Sequence, residues 1–164
     1  MIGKSNRQVH REVMELRATP EQVRSFITTP ERILDYYPGG LEGGELVPGQ
    51  AIYCLARTGV SLLEVDTAQS TSDTVVVAVY TARKLKAPYT VERIKRAAFF
   101  RMVEDWQIEP NGDGTLLTKT WRDVEKYRLR FLPMKAIVRS GAKSENQALI
   151  DGWNRAASEP GDSE

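Results

Sequence analysis

The sequence has little cysteine, little histidine and little net charge, and a larger amount of any of these would indicate a particular class of function. One cysteine, Cys54, excludes an internal disulfide, and with one histidine, His10, the usual zinc or iron site of nitrogen and sulfur ligands is excluded as well. Lys and Arg number 23 against 22 Asp and Glu, so no overall field attracts a polyanion. We therefore predict no metal, no cofactor and no nucleic-acid partner.

Long apolar runs are absent too. The longest uncharged apolar run, Val75–Tyr80, has six residues, whereas about 20 are needed to span a bilayer. Residues 1–7 lack the apolar stretch of a signal peptide. We expect a soluble, cytoplasmic protein.

The length of 164 residues suits one domain, which we place at 1–157, with room for a core and a modest cavity. The tail at 158–164 has no apolar residue to bury and is expected to be disordered. Neither an internal repeat nor a low-complexity tract is present.

Helix-start signals stand near the beginning of the chain. A strand carrying Met14 and Leu16 leads into Thr19 as an N-cap, followed by proline at the first helical position. The same signal recurs at Thr29, and Pro38-Gly39-Gly40 closes the second short helix. One strand followed by two short helices is therefore predicted.

Strand-length segments separated by turns fill the middle of the chain, which predicts an antiparallel meander. Asn111-Gly112-Asp113-Gly114 predicts a tight hairpin, since glycine supplies positive φ angles. The basic segment 83–96 fits a helical turn or a twisted strand equally well. The six predicted strands are 42–47, 51–56, 61–68, 74–82, 98–109 and 115–125.

Helical periodicity returns at the end of the chain and predicts a long helix over Pro133–Ala157. Gly141 and Gly152 on its apolar arc suggest close approach of backbone or ligand, or else a poorly optimised helix. At 100° per residue the arc comprises Met134, Ile137, Val138, Gly141, Ala148, Leu149, Gly152 and Ala156.

Over Val9–Ala157 this order of elements resembles the START-like superfamily (SRPBCC, Bet v 1-like, polyketide cyclase/dehydrase). The resemblance is carried by four short motifs: Ala18–Val23, Asp35–Gly39, Leu63–Asp66 and Trp106–Pro110. It implies an α+β helix-grip fold, a seven-stranded antiparallel sheet wrapped round a long C-terminal helix, with two short helices after strand 1. It also implies an apolar ligand between sheet and helix, in a superfamily of lipid carriers, hormone receptors, cyclases, oxygenase subunits and co-chaperone domains.

Alternation along the two longest strands selects candidate site residues. If Trp106 and Trp121 face inward, Glu104 and Lys119 do so too, from adjacent strands. They would form a buried ion pair or a polar anchor for a ligand carbonyl or hydroxyl. A register shift would instead place one of them at the solvent end of its strand.

Glu145 is the sharpest anomaly, because its helical angle falls near the middle of the apolar arc. A carboxylate there needs a partner, a proton or water. It is either a ligand anchor or general acid/base with a raised pKa, or half of a salt bridge at the cavity mouth.

The histidine, the cysteine and the basic residues are weaker candidates for a functional site. His10 and Cys54 are expected about 10 Å apart, His10 at the surface and Cys54 as a small buried side chain, so no nucleophilic pair is predicted. Basic residues around 83–96 and 126–130 form either a solvated face or a weak contact with an anionic membrane surface.

Three functions remain open. The first is binding or transport of a small hydrophobic molecule, lipid-like or aromatic. The second is a cyclase/dehydrase-like enzyme in which Glu145 or Glu104 moves a proton on a polyketide-like substrate, and the third is a co-chaperone-like interaction module. Oligomeric state is not predicted. The expected ligand contacts are Tyr53, Phe100, Met102, Trp106, Lys119, Trp121, Met134, Val138, Gly141 and Leu149.

Overall fold

A computed structural model describes residues 7–29, 50–55, 59–126 and 133–158. The elements in chain order are β1 (Gln8–Leu16), α1 (Pro20–Thr28), β2 (Gln50–Leu55), β3 (Gly59–Val65), β4 (Thr74–Arg83), α2 (Val91–Ala97), β5 (Ala98–Asn111), β6 (Gly114–Lys126) and α3 (Met134–Ser158). Within the described residues, no helix is both long and apolar enough to cross a membrane.

The strands form one antiparallel sheet in the order β1-β6-β5-β4-β3-β2. The predicted α+β class with an antiparallel sheet and a C-terminal helix is confirmed, but the described sheet has six strands, not seven. The expected strand at 42–47, the second short helix at 30–38 and the tail beyond 158 lie outside the described residues.

Local signals set the start of α1. The side chain of Thr19 accepts a hydrogen bond from the Gln22 backbone N–H at 3.3 Å, and the Gln22 side chain accepts from the Thr19 N–H at 2.9 Å. This reciprocal pair satisfies two backbone donors that a helix start otherwise leaves free. The helix buries Val23, Phe26 and Ile27, which fixes it against the core.

The β5–β6 hairpin forms where predicted. Asn111 pairs with Gly114, and Gly112 has a φ of 59°, a conformation that glycine adopts without strain. Because β5 and β6 have 14 and 13 residues, this hairpin sets the register of the central strands.

Segment 83–96, left undecided by the sequence, ends in a helix. Thr90 caps α2 by accepting from the Arg93 N–H, and Ile94 is buried against Val60 and Leu62 on the outer face of the sheet. Val91, partly buried, packs against the same cluster, so the apolar side of the helix meets the sheet while Lys95 and Arg96 stay exposed.

Helix α3 packs on the opposite, inner face. Its buried residues are Val138, Ala142, Asn146, Leu149 and Trp153. These positions recur every three or four residues and form one stripe.

That stripe is rotated from the predicted arc. Ile137 is 45% exposed, and Gly141 and Ala148 are exposed as well, so their predicted burial is wrong. The reason is Trp153, which packs on Phe26 and Trp106 and turns the helix toward Ala142 and Asn146.

Candidate functional site

The site lies on the inner face of the sheet, where two neighbouring rows of cross-strand partners change from apolar to charged. The first row is Val77, Glu104, Trp121 and His10, and the second is Val75, Trp106, Lys119 and Glu12, taken in order from β4 through β5 and β6 to β1. The residues that alternation selected on β5 and β6 therefore share one face with two residues of β1.

Glu104 is fully buried and accepts from three donors. The indole N–H of Trp106 donates to Oε2 at 3.2 Å, and that of Trp121 donates to Oε1 at 3.0 Å. The Nζ of Lys119 lies 3.2 Å from Oε2. Both carboxylate oxygens are thus occupied by donors that the apolar layer itself supplies.

Lys119, also fully buried, links Glu104 to α3. Its ammonium group bonds Oε1 of Glu145, whose side chain is 12% exposed. The same Nζ lies 4.1 Å from the centre of the Trp106 ring and 4.7 Å from that of the Trp121 ring, within the range of cation–π attraction. We call Glu104, Lys119 and Glu145 the buried triad.

Burial changes the protonation of the triad. Removal from water raises the pKa of Glu104 from 4.5 to about 7, against the attraction of Lys119, which lowers it, while the nearby Glu145 charge raises it further. Two carboxylates face one ammonium, so the fully ionised triad carries one negative charge. A proton taken up near neutral pH removes that charge.

A second polar group adjoins the triad at the end of the face that reaches solvent. His10 Nε2 lies 2.7 Å from Oε1 of Glu12, and Nδ2 of Asn146 donates to Oε2 of Glu12. The His10 side chain is 15% exposed and that of Glu12 is 28% exposed. We call His10, Glu12 and Asn146 the rim group.

The rim group corrects the expectation for His10. The His10 side chain is mostly buried and not exposed as expected, because its ring packs against Trp121 with centroids 5.3 Å apart. The signal was alternation along β1, which places His10, Glu12 and Met14 on one face. Cys54 lies on β2, at the other end of the strand order, and its side chain is outside the described part.

The predicted apolar contacts fall into two clusters. Trp106 and Leu149 belong to the main core, and Trp121 and Val138 pack with Ala142. Met102, partly buried, packs against both clusters, and Phe100 is 8% exposed.

Of the other predicted contacts, two have side chains that the structure does not describe, and one is exposed. Tyr53 pairs with Ser61 in the sheet and Met134 begins α3, but both side chains lie outside the described part of the structure. Gly141 is exposed on α3, and apart from its chain neighbours and the backbone of its own helix, no described atom lies within 4 Å of the Cβ that another residue would carry there.

A depression of about 420 Å³ lies elsewhere, beside the β5–β6 hairpin. Its lining includes Arg17, Asp113 and Asn154, which are not among the predicted contacts. In the ranges described, no group of three or more His, Cys, Asp or Glu side chains is placed to hold a metal ion.

The basic residues of segment 83–96 lie toward the outer face, with α2. Lys95 is 2.7 Å from Glu64, and the guanidinium of Arg83 lies 4.8 Å from the centre of the Phe99 ring. Lys84, Lys86 and Arg96 are exposed and form no ion pair with another described residue. This basic surface is on the opposite side of the sheet from the triad.

A long C-terminal helix packed on the inner face of an antiparallel sheet is the helix-grip arrangement of START-like proteins. The sequence matches the family described as polyketide cyclase / dehydrase and lipid transport over residues 7–156, and the chain belongs to that family. No functionally curated protein matches it.

Solved structures share the fold at low sequence identity. A conserved protein from Geobacillus kaustophilus is 16% identical with a TM-score of 0.62, covering 89% of this chain and 95% of that one. Protein Ms6760 from Mycobacterium smegmatis is 12% identical with a TM-score of 0.59, covering 92% and 90%. The Aha1 dimer from Colwellia psychrerythraea is 14% identical with a TM-score of 0.54, covering 88% and 94%.

Proposed function

We propose that this protein binds a small hydrophobic molecule, lipid-like or aromatic, between the inner face of the sheet and α3. The observation that carries the proposal is the buried triad. Replacing a buried ion pair by apolar residues of similar volume is often neutral or stabilising, so stability gives little reason to keep Lys119 and Glu104 there. A polar anchor within an apolar layer is what a ligand site needs for orientation.

Met102 is the residue with which to test binding, because it packs against both apolar clusters. A neutral dye such as Nile red should bind the native protein in about one equivalent and change its tryptophan fluorescence, since Trp106 and Trp121 line the same layer. Native mass spectrometry of protein from its own host should show a co-purifying small molecule. Absence of both signals would contradict the proposal.

Met102→Trp should fill the layer and abolish dye binding, whereas Met102→Leu, similar in volume, should keep it. Overpacking costs about 1–3 kcal/mol, so the thermal midpoint is measured for both variants. A folded Met102→Trp protein that binds the dye unchanged would show that the ligand site lies elsewhere.

A second candidate is a cyclase/dehydrase-like enzyme, favoured by the pKa of about 7 at Glu104. A carboxyl group near this pKa can take or give a proton at neutral pH. Incubation with a linear β-keto thioester, followed by mass spectrometry, should yield a cyclised or dehydrated product that Glu104→Gln and Glu145→Gln lose. Unchanged substrate with the wild-type protein argues against an enzyme of this kind.

An interaction module receives less support. The Aha1 structure shares the fold at 14% identity, but among the side chains that the structure describes, Val13 and Ile137 are the only large apolar ones that are exposed. A cytoplasmic location and a weak contact between the basic surface of α2 and an anionic membrane also remain proposals. Co-sedimentation with phosphatidylserine vesicles, lost at high salt, would support the membrane contact.

A further inference from the structure

The hydrogen-bond donors of the buried triad are used within the protein. Both indole N–H groups donate to Glu104, and the Lys119 ammonium is shared between Glu104 and Glu145. Its remaining side lies against the two indole rings. The triad therefore has no donor to offer a ligand unless one of these bonds breaks.

The rim group uses its donors in the same way. Nδ2 of Asn146 donates to one oxygen of Glu12, and Nε2 of His10 bonds the other. In a neutral imidazole whose Nε2 carries the hydrogen, Nδ1 is an acceptor. Glu12 thus accepts from one N–H of the Asn146 amide and binds one ring nitrogen of His10.

One buried acceptor remains. No described residue donates to Oδ1 of Asn146, which is only 4% exposed, and the neighbouring Glu145, whose side chain is 12% exposed, accepts from Lys119 through Oε1. A buried acceptor without a donor costs about 1–3 kcal/mol, so a donor from outside the chain is favoured there. The two residues are adjacent on α3, and the local carboxylates, Glu12, Glu104 and Glu145, outnumber Lys119.

We infer that the ligand presents a hydrogen-bond donor, and near neutral pH a positive charge, to Glu145 and Asn146, so that the preferred class is an apolar amine. An apolar alcohol donates without the charge and binds more weakly. An apolar carboxylate meets the like charge of the local carboxylates and is rejected. This inference rests on the proposed function and adds the chemistry of the ligand's polar end.

Three naphthalene derivatives of similar size test it, carrying an ethylamine, an ethanol or an acetate group. Calorimetry at neutral pH should give the affinity order amine, alcohol, carboxylate, with about tenfold between the first two, because a hydrogen bond to a charged group is stronger than a neutral one. Equal affinities, or tightest binding of the carboxylate, overturn the inference but leave apolar binding intact. If none of the three and no neutral dye binds, the proposed function itself fails.

Two variants locate the preference. Glu145→Gln should reduce amine affinity about tenfold and change alcohol affinity little, while Glu109→Gln, the same change at an exposed outer position, should alter neither. Asn146→Leu, which keeps every charge, should weaken the amine and the alcohol alike. An amine preference that survives both variants shows that the donor is recognised elsewhere.

Discussion

The two halves of the sheet's inner face differ in chemistry although one ladder of hydrogen bonds joins them. The valine side, on β3 and β4, is formed by Leu63, Val65, Val75, Val77 and Val79, while the charged side, on β5, β6 and β1, is formed by Glu104, Trp106, Lys119, Trp121, Glu12 and His10. The polar pair on the valine side, Ser61 and Thr81, is satisfied internally at 2.9 Å. On the charged side, by contrast, the facing helix α3 carries a buried acceptor without a donor, Oδ1 of Asn146.

The two sides therefore contribute differently to the stability of the protein. Burial of apolar area stabilises the valine side by about 25 cal/mol per Å² without any need for direction. The charged side gains its stability only while every charge keeps its partner, because desolvation of an unpaired ion is costly. A substitution on the charged side should therefore lower the free energy of unfolding more than one on the valine side. Its effect should also depend on pH.

Lys119→Met should have the largest effect. It leaves Glu104 and Glu145 without their shared cation, and breaking a buried pair costs about 3–5 kcal/mol. Lys95→Met is the matched control, since Lys95 also pairs with a glutamate but is 37% exposed, and a surface pair contributes about 0–1 kcal/mol. Urea unfolding at neutral pH gives both values. Equal costs would mean that the triad is not an energetically distinct unit.

Glu104→Gln should cost about 1–3 kcal/mol, because an amide accepts through one oxygen only and its NH2 group must face an indole N–H or Lys119. It should also change the pH profile. Since burial raises the pKa of Glu104 from 4.5 to about 7, the folded state binds this proton more tightly than the unfolded state. The stabilisation that Glu104 gives through this proton is full below a pH of about 4.5. It falls as the pH rises to about 7 and does not change further above that pH.

The free energy of unfolding of Glu104→Gln, measured below, within and above that window, should lack this decline. Glu109→Gln, exposed on the outer face, should keep the wild-type profile. If the wild-type protein shows no decline between these pH values, Glu104 is ionised throughout and the two indole donors and Lys119 outweigh desolvation.

Val77→Ala tests the valine side at the position beside Glu104. Val77 is 1% exposed, and removal of two buried carbon atoms should cost about 1.5 kcal/mol at about 0.8 kcal/mol for each. Because no charge is altered, the cost should be equal at acid and neutral pH in the same urea experiments. A pH-dependent cost would show that the two sides are coupled through this contact.

Many residues of the charged side can be predicted from period-two alternation along a strand. That prediction requires only the position of the strand and of its large apolar residues. Trp106 and Trp121 sufficed to place Glu104 and Lys119 together, since their side chains lie on the same face as the indoles. Alternation ended at Asp123, whose φ of 53° marks an irregular point in β6, and its carboxylate pairs with Arg122 instead of facing inward.

The rim group was harder to predict, because it depends on which strand lies beside β6. Glu12 and His10 become site residues only through pairing of β1 with β6, a contact between residues more than 100 positions apart. Asn146, which periodicity puts outside the predicted apolar arc, is hard to predict for a related reason. The rotation of α3 is set by Trp153 against Phe26 and Trp106, and periodicity within one helix does not contain that contact.

Gly141→Ala should have the smallest effect and leave both sides of the face untouched. Gly141 lies on the exposed side of α3 with open space around its Cβ position, so alanine should stabilise the helix by about 0.5–1 kcal/mol. Gly114→Ala is the contrasting control, since its Cβ would collide with the carbonyl oxygen of Leu16 and the variant should lose stability. Thermal midpoints give both signs, and the binding constant for Nile red should be unchanged in Gly141→Ala. A stabilised variant with weakened dye binding would instead support Gly141 as a ligand contact and would require the ligand to extend past the charged side to the exposed edge of α3.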